Sequence, residues 1–228
     1  MRLSITTSSV VLILFILQGY SSSCILVGMK RKRSPKETRQ RIMEAAFEAV
    51  HRHGFQSVGL NDILAAAGVT KGAMYHHFPN KMALGYAIAD ELLSAYVDQW
   101  WLAPFEGTND PVVVLREMIE TRLLNLSGEM VGLGCPLNNL AQEMSSVDEG
   151  FRQRIEGIYR YWRKGLAKAL RNGQQYGTVR GDLDADRAAT VLVAAIEGTM
   201  GLGKATQDRE LIADCVKGLL IQVEQIRP

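Results

Sequence analysis

Between Ser34 and Pro79 the chain is punctuated so closely that only short helices fit. Ser34-Pro35-Lys36-Glu37 writes a helix start: a serine to cap the first turn, a proline where an amide has no partner, and a glutamate placed to close a capping box. Apolar residues recur along one face at Ile42, Ala45, Ala46, Ala49 and Val50, and Gly54 supplies a left-handed stop after His53. Gly59 and Asp62 open a second helix over about 60–67, which Gly68 ends. Thr70 caps a third over about 71–77, and Pro79-Asn80 breaks the chain and caps a fourth that runs past Leu93 toward Trp100. Two short helices joined by a tight glycine turn make a helix-turn-helix.

Further helices are expected near 110–126, 136–146, 148–172, 184–203 and 207–226, and no window sustains the alternation of a strand. The fold class is therefore all-α: an N-terminal three-helix module over 29–82, then a larger helical domain over 83–228. Charge divides the same way. Residues 29–81 carry ten Lys/Arg against four Asp/Glu, whereas 82–228 carry fifteen against twenty. A basic module joined to an acidic one suits a polyanionic partner for the first alone, although a solvated charged face would look the same.

Three widely spaced cysteines, Cys24, Cys135 and Cys215, imply no disulfide framework and fit a reducing, cytoplasmic setting. The histidines fall in adjacent pairs that point to different sides of a helix, so no metal site is expected. Residues 10–17 form an apolar run after Arg2, followed by serines and Cys24, the layout of an export signal. The run is shorter than the roughly twenty apolar residues a bilayer needs. Met29 opens a segment that makes sense as a start, so residues 1–28 read as an over-extended beginning outside the fold; a membrane-tethered regulator is the rival reading.

Gly68-Val69-Thr70-Lys71-Gly72-Ala73-Met74-Tyr75-His76-His77-Phe78, with Asn80-Lys81 and Leu84 after it and Gly54-Phe55 and Ile63 before it, resembles the signature of the TetR family of transcriptional regulators. Gly59 stands where that family usually shows Thr, and Met82 where it often has Glu. A second stretch, Gly134-Cys135-Pro136-Leu137 through Asn139-Leu140-Ala141 and Glu143-Met144-Ser145, is similar to the start of a central ligand-domain helix in one subgroup.

The resemblance implies that 29–82 is a helix-turn-helix DNA-binding domain whose third helix enters the major groove, and that 83–228 is an effector-binding and dimerisation domain. Thr70, Lys71, Gly72, Ala73, Tyr75 and His76 are then the contact positions, Asn61 a second base reader, and Lys81 a phosphate holder at a helix N-terminus. Met74, His77 and Phe78 read instead as packing. The basic arm Lys30–Arg33 is expected to screen phosphates without reading sequence. Trp100, Cys135, Asn139, Tyr159 and Trp162 are candidate lining for an effector pocket, with ordinary core packing as the competing account of each. Cys135, just before Pro136, sits where a helix dipole favours a thiolate.

Leu211, Ile212, Cys215, Val216, Leu219, Leu220 and Val223 share one helical face, and Ala188, Leu192, Ala195, Ile196 and Gly198 line the helix before it, a pattern suited to a homodimeric four-helix interface. The function expected is a ligand-responsive repressor that leaves a palindromic operator when a small molecule binds, with no enzymatic activity, cofactor or membrane contact. Two alternatives stay open. One is an effector-independent nucleoid-type DNA binder. The other is a nucleotide hydrolase, suggested by Gly198-Thr199-Met200-Gly201-Leu202-Gly203-Lys204, although Ala205 stands where a phosphate loop needs Ser or Thr.

Overall fold

A computed structural model describes residues 34–228, and every regular element among them is helical. The readings of residues 1–28 and of the Lys30–Arg33 arm lie outside the described residues. The capping box forms as written. Ser34 Oγ accepts the Glu37 N–H at 3.2 Å, and the Ser34 N–H donates to Glu37 Oε2 at 2.8 Å, starting α1 (Pro35–His53). Gly54, at φ +84°, ends it. Next come α2 (Leu60–Ala67), closed by left-handed Gly68, and α3 (Lys71–His77), capped by Thr70 Oγ1 on the Ala73 N–H at 3.2 Å. Asn80 Oδ1 caps α4 (Lys81–Ala87) through the Ala83 N–H at 2.8 Å.

The helical path of α4 continues with wider π turns over Ile88–Leu93, an α turn over Ser94–Val97, more π turns over Asp98–Leu102 and a 3-10 turn over Ala103–Phe105. Then follow α5 (Pro111–Leu123), α6 (Gly128–Leu133), α7 (Pro136–Met144), α8 (Glu149–Gln175), α9 (Ala185–Thr206) and α10 (Arg209–Glu224). Helix α6 is not announced by periodicity, because Gly128, Gly132 and Gly134 make its segment read as loop; Ser127 Oγ nevertheless caps it on the Met130 N–H at 3.2 Å. The near phosphate-loop motif 198–204 lies wholly inside α9, where its amides are spent on helix bonds, which removes the basis of the hydrolase alternative.

The described residues form two compact units, 34–96 with 139–155, and 97–138 with 156–228. This grouping differs from the contiguous boundary expected at 82/83 in assigning 139–155 to the first unit. The first unit takes in 139–155 because Phe55 needs a partner: its ring meets that of Phe151 edge-on at 4.8 Å, and Tyr86 meets Phe151 at 5.0 Å. Tyr86 also donates to Asp148 Oδ1 at 2.8 Å, and Arg154 pairs with Asp90 at 2.9 Å. Around them Ile42, Met43, Phe47, Ile63, Met74, Phe78, Leu84 and Ile88 are buried.

In the second unit α9 and α10 pack together, and α10 packs on α5. Ile212, Val216, Leu219 and Val223 of α10 and Leu192 and Ile196 of α9 are buried within this unit. The stripe expected to form a dimer interface is therefore largely intramolecular core. The apolar side chains left outside lie on other faces: Val191 (52 % exposed) and Leu202 (49 %), with Ala194 and Gly198 between them on α9, and Ile221 (62 %) on α10. Trp162 is buried and stacks on Trp101 at 5.0 Å.

One carboxyl lies inside this unit. Glu197, 7 % exposed on α9, accepts the Cys135 thiol at 3.3 Å through Oε1, while Oε2 has no partner among the described residues. Burial pushes the Glu197 carboxyl up to about 7, against the opposing pull of the Cys135 hydrogen bond.

Two expectations follow from this packing. A Cβ on Gly85 would stand 2.6 Å from Phe151 Cζ and closer still to the Phe55 ring, so Gly85→Ala should overpack the first unit and cost about 1–3 kcal/mol in chemical denaturation; unchanged stability would show that the rings yield freely. For Glu197, the folded protein holds a proton that the unfolded chain releases in the ordinary carboxylate range. Stability therefore falls as pH rises from that range through about 7. Glu197→Gln keeps an acceptor for the thiol and removes the titration, so the wild type should lose more Tm than the variant between about pH 5 and about pH 8. Parallel Tm profiles for the two proteins would assign the pH dependence elsewhere.

Candidate functional site

Helix α3 divides its residues sharply. Met74 and Phe78 are buried and hold the helix to the first unit, as expected, while His77 is half-buried. Burial, followed by the charges of His76 and Arg39, lowers the His77 pKa, which keeps that imidazole neutral as a packing group would be. Lys71, Gly72, Tyr75 and His76 are exposed, Ala73 is half-exposed, and Thr70 is spent as the cap. Tyr75 is 46 % exposed with Lys71 Nζ 5.9 Å from its ring centroid, so a cation and a phenol share one patch. A Cβ on Gly72 would meet nothing within 4 Å. No contact among the described residues calls for a glycine there. Asn61 is exposed at the start of α2, in the same unit.

Lys81, expected to hold a phosphate at the α4 N-terminus, is also engaged within its own unit. Its ammonium lies 4.8 Å over the Phe55 ring and donates to the Gln56 carbonyl at 3.3 Å. Burial lowers its pKa, and the nearby Glu143 carboxylate partly offsets this. Sequence pattern missed that the turn after α1 is held from both sides. Glu143 Oε2 accepts the Phe55 N–H and Oε1 the Gln56 N–H, each at 2.7 Å. No local signal announces a contact across nearly ninety positions. Arg39, also missed, forks onto Glu91, with Nη1 to Oε2 at 2.8 Å, and lies 5.1 Å over the Phe78 ring. Its pKa rises, chiefly through the hydrogen bond to Glu91.

The five effector candidates have distinct surroundings among the described residues. Trp162 is the partner of Trp101 in the core, and Trp100 carries the Arg122 guanidinium 4.6 Å above it. Cys135 and Tyr159 both feel Glu197, and burial, then Glu197, raises the Tyr159 pKa. Asn139 belongs to the first unit. At Cys135 burial and the Glu197 charge push the thiol well up, outweighing the N–H groups of Leu137 and Asn138 at the α7 N-terminus, which favours the packing account over a thiolate. A groove of about 780 Å³ in the second unit lies among Asp98, Leu102, Phe105, Tyr161, Lys168 and Arg171, with none of the five in its wall.

Among the described residues no helix is long and apolar enough to cross a membrane, and no group of three His, Cys, Asp or Glu could hold a metal. Residues 42–88 match the family described as bacterial regulatory proteins, tetR family, and 111–219 the one described as tetracyclin repressor-like, C-terminal domain. The chain is 30% identical over 164 residues to the transcriptional regulator AcuR of Cereibacter sphaeroides, covering 71% of this chain and 74% of that protein. It is 31% identical over 174 residues to the HTH-type transcriptional regulator TtgR of Pseudomonas putida, covering 74% and 81%. A solved TetR-family regulator from Cytophaga hutchinsonii superposes with a TM-score of 0.76 at 25% identity, over 87% of this chain and 98% of that one. With its exposed α3 patch, its all-helical fold and these matches, the chain belongs to the TetR family of helix-turn-helix transcriptional regulators.

Proposed function

We propose that this protein is a ligand-responsive repressor that reads a two-fold operator as a homodimer and leaves it when a small molecule binds the second unit. Regulators of this family bind operator DNA as dimers and answer to small-molecule effectors. The observation that carries the reading is the exposed face of α3, where Lys71, Gly72, Tyr75 and His76 lie together and, among the described residues, a Cβ on Gly72 would meet nothing within 4 Å. A glycine with open space around it suits an outside surface that comes close, and a groove edge is such a surface. Lys71 is suited to a guanine edge or a phosphate, and Tyr75 and His76 to phosphate or a thymine methyl. Asn61 and Ala73 complete the base-reading set, and Thr70 fixes the helix start that aims it. Release follows when the effector binds the DNA-incompetent arrangement better by a few kcal/mol.

The exposed Val191 and Leu202, set among small residues of α9, and Ile221 of α10 supply the apolar surface for the dimer. Two measurements test the reading. Duplexes selected by the wild type from a random pool should carry an inverted repeat. On them, Lys71→Ala should weaken binding and reduce the salt slope by about one. Lys81→Ala should reduce it by less, because its ammonium is already engaged; a selected pool without two-fold symmetry would sink the operator reading. Light scattering should find the wild type dimeric and Leu202→Glu/Ile221→Glu monomeric, since a two-fold axis brings each new charge up against the opposite protomer. A dimer that survives both charges uses a different face.

A further inference from the structure

We propose that Glu143 is a positioning residue for DNA reading: its carboxylate clamps the turn between α1 and α2 and so aims the helix-turn-helix, an inference that rests on the function proposed above. The turn is short and exposed to slippage. Gly54 sits at φ +84°, Gln56 and Ser57 are exposed, and three further residues, Ser57, Val58 and Gly59, lead into α2. Two successive amides in this turn, those of Phe55 and Gln56, donate to the two oxygens of Glu143 at 2.7 Å each. A charged acceptor spanning two adjacent N–H groups fixes the peptide plane between them as well as its position. The same peptide segment is held from its other side by Lys81, which donates to the Gln56 carbonyl at 3.3 Å and covers the Phe55 ring at 4.8 Å. Lys81 and Glu143 also attract one another.

Gly54 shows how closely the clamp is fitted. A Cβ there would come within 3.1 Å of Glu143 Oε1, so the turn needs glycine both for its backbone angle and for the carboxylate's approach. The other anchors of α2 and α3 described above are apolar packing, a local cap and a cation over a ring: Ile63, Leu64, Met74 and Phe78 are buried, Thr70 caps α3, and Arg39 lies over the Phe78 ring. Apolar packing tolerates small slides, whereas paired charge-assisted hydrogen bonds carry direction. The residue that confers direction on the DNA-reading pair thus stands outside the contiguous 29–82 segment.

The sign of the effect separates positioning from electrostatics. Removing a carboxylate from a basic DNA-binding unit should, by charge alone, tighten binding to any duplex. A lost clamp should instead weaken binding to the selected operator while sparing binding to a scrambled duplex. The experiment uses the full chain as wild type, Glu143→Ala, Glu143→Gln and Tyr86→Phe, the last removing a hydrogen bond to Asp148 in the same segment without touching the turn. Affinity is read on the duplex selected by the wild type and on its scrambled counterpart across a salt series, and amide exchange is read at Phe55 and Gln56. Glu143→Ala should lose about tenfold on the selected duplex, lose nothing on the scrambled one, keep its salt slope, and exchange both amides faster. Glu143→Gln, with one acceptor oxygen, should fall between, and Tyr86→Phe should match the wild type. If Glu143→Ala does not fold, the selected-to-scrambled ratio of Glu143→Gln decides. An unchanged ratio overturns the proposal, as does an equal loss on both duplexes. A wild type that selects no duplex overturns the reading of function, and the positioning role with it; amide exchange would then still report whether the clamp forms.

Discussion

The first unit is organised by what the Phe55 ring needs after a glycine turn throws it off the end of α1. It finds Phe151 edge-on, the close backbone of Gly85, and the Lys81 ammonium over its face. Aromatic rings contribute more than their buried area when they meet edge to face, and a cation over the face adds to this. Everything that aims the α3 patch follows. With Phe55 seated, its own amide and that of Gln56 are placed to donate to Glu143, and the path to α2 is set. The residues that would touch DNA make almost none of these contacts, which leaves them free.

Lys81 illustrates how one residue type is divided between two needs. At a helix N-terminus a lysine is suited to phosphate, yet the geometry turns it onto a ring and a carbonyl within its own unit. Lys71 has no such internal demand beyond its approach to Tyr75. The two lysines are alike in sequence context and different in employment among the described residues.

Cys135 and Glu197 set two opposed effects side by side. Backbone N–H groups at the start of α7 favour a thiolate, while burial and a carboxylate disfavour it, and burial wins. The outcome is a protonated thiol donating to a carboxyl that is itself reluctant to ionise. A buried carboxyl with one oxygen unpartnered among the described residues costs stability as pH rises through about 7.

Local rules settled much of this protein before any fold was known. Ser34, Gly59, Gly68, Thr70 and Asn80 each fix a helix end through their own backbone or side-chain chemistry, so α1 to α4 were legible residue by residue, as was the split between buried Met74 and Phe78 and outward Lys71 and Tyr75. Helical periodicity likewise placed α5 and α7 to α10, but it could not say which apolar face turns inward: Ile212 and Val216 are core, while Leu202 and Ile221 are left outside. What only tertiary structure decided involves partners far apart in the chain. Glu143 on the α1–α2 turn, Glu197 on Cys135 and Phe151 on Phe55 are pairings that no capping rule or period encodes, because the energy of each depends on distance in space and on exclusion of water rather than on neighbours along the chain.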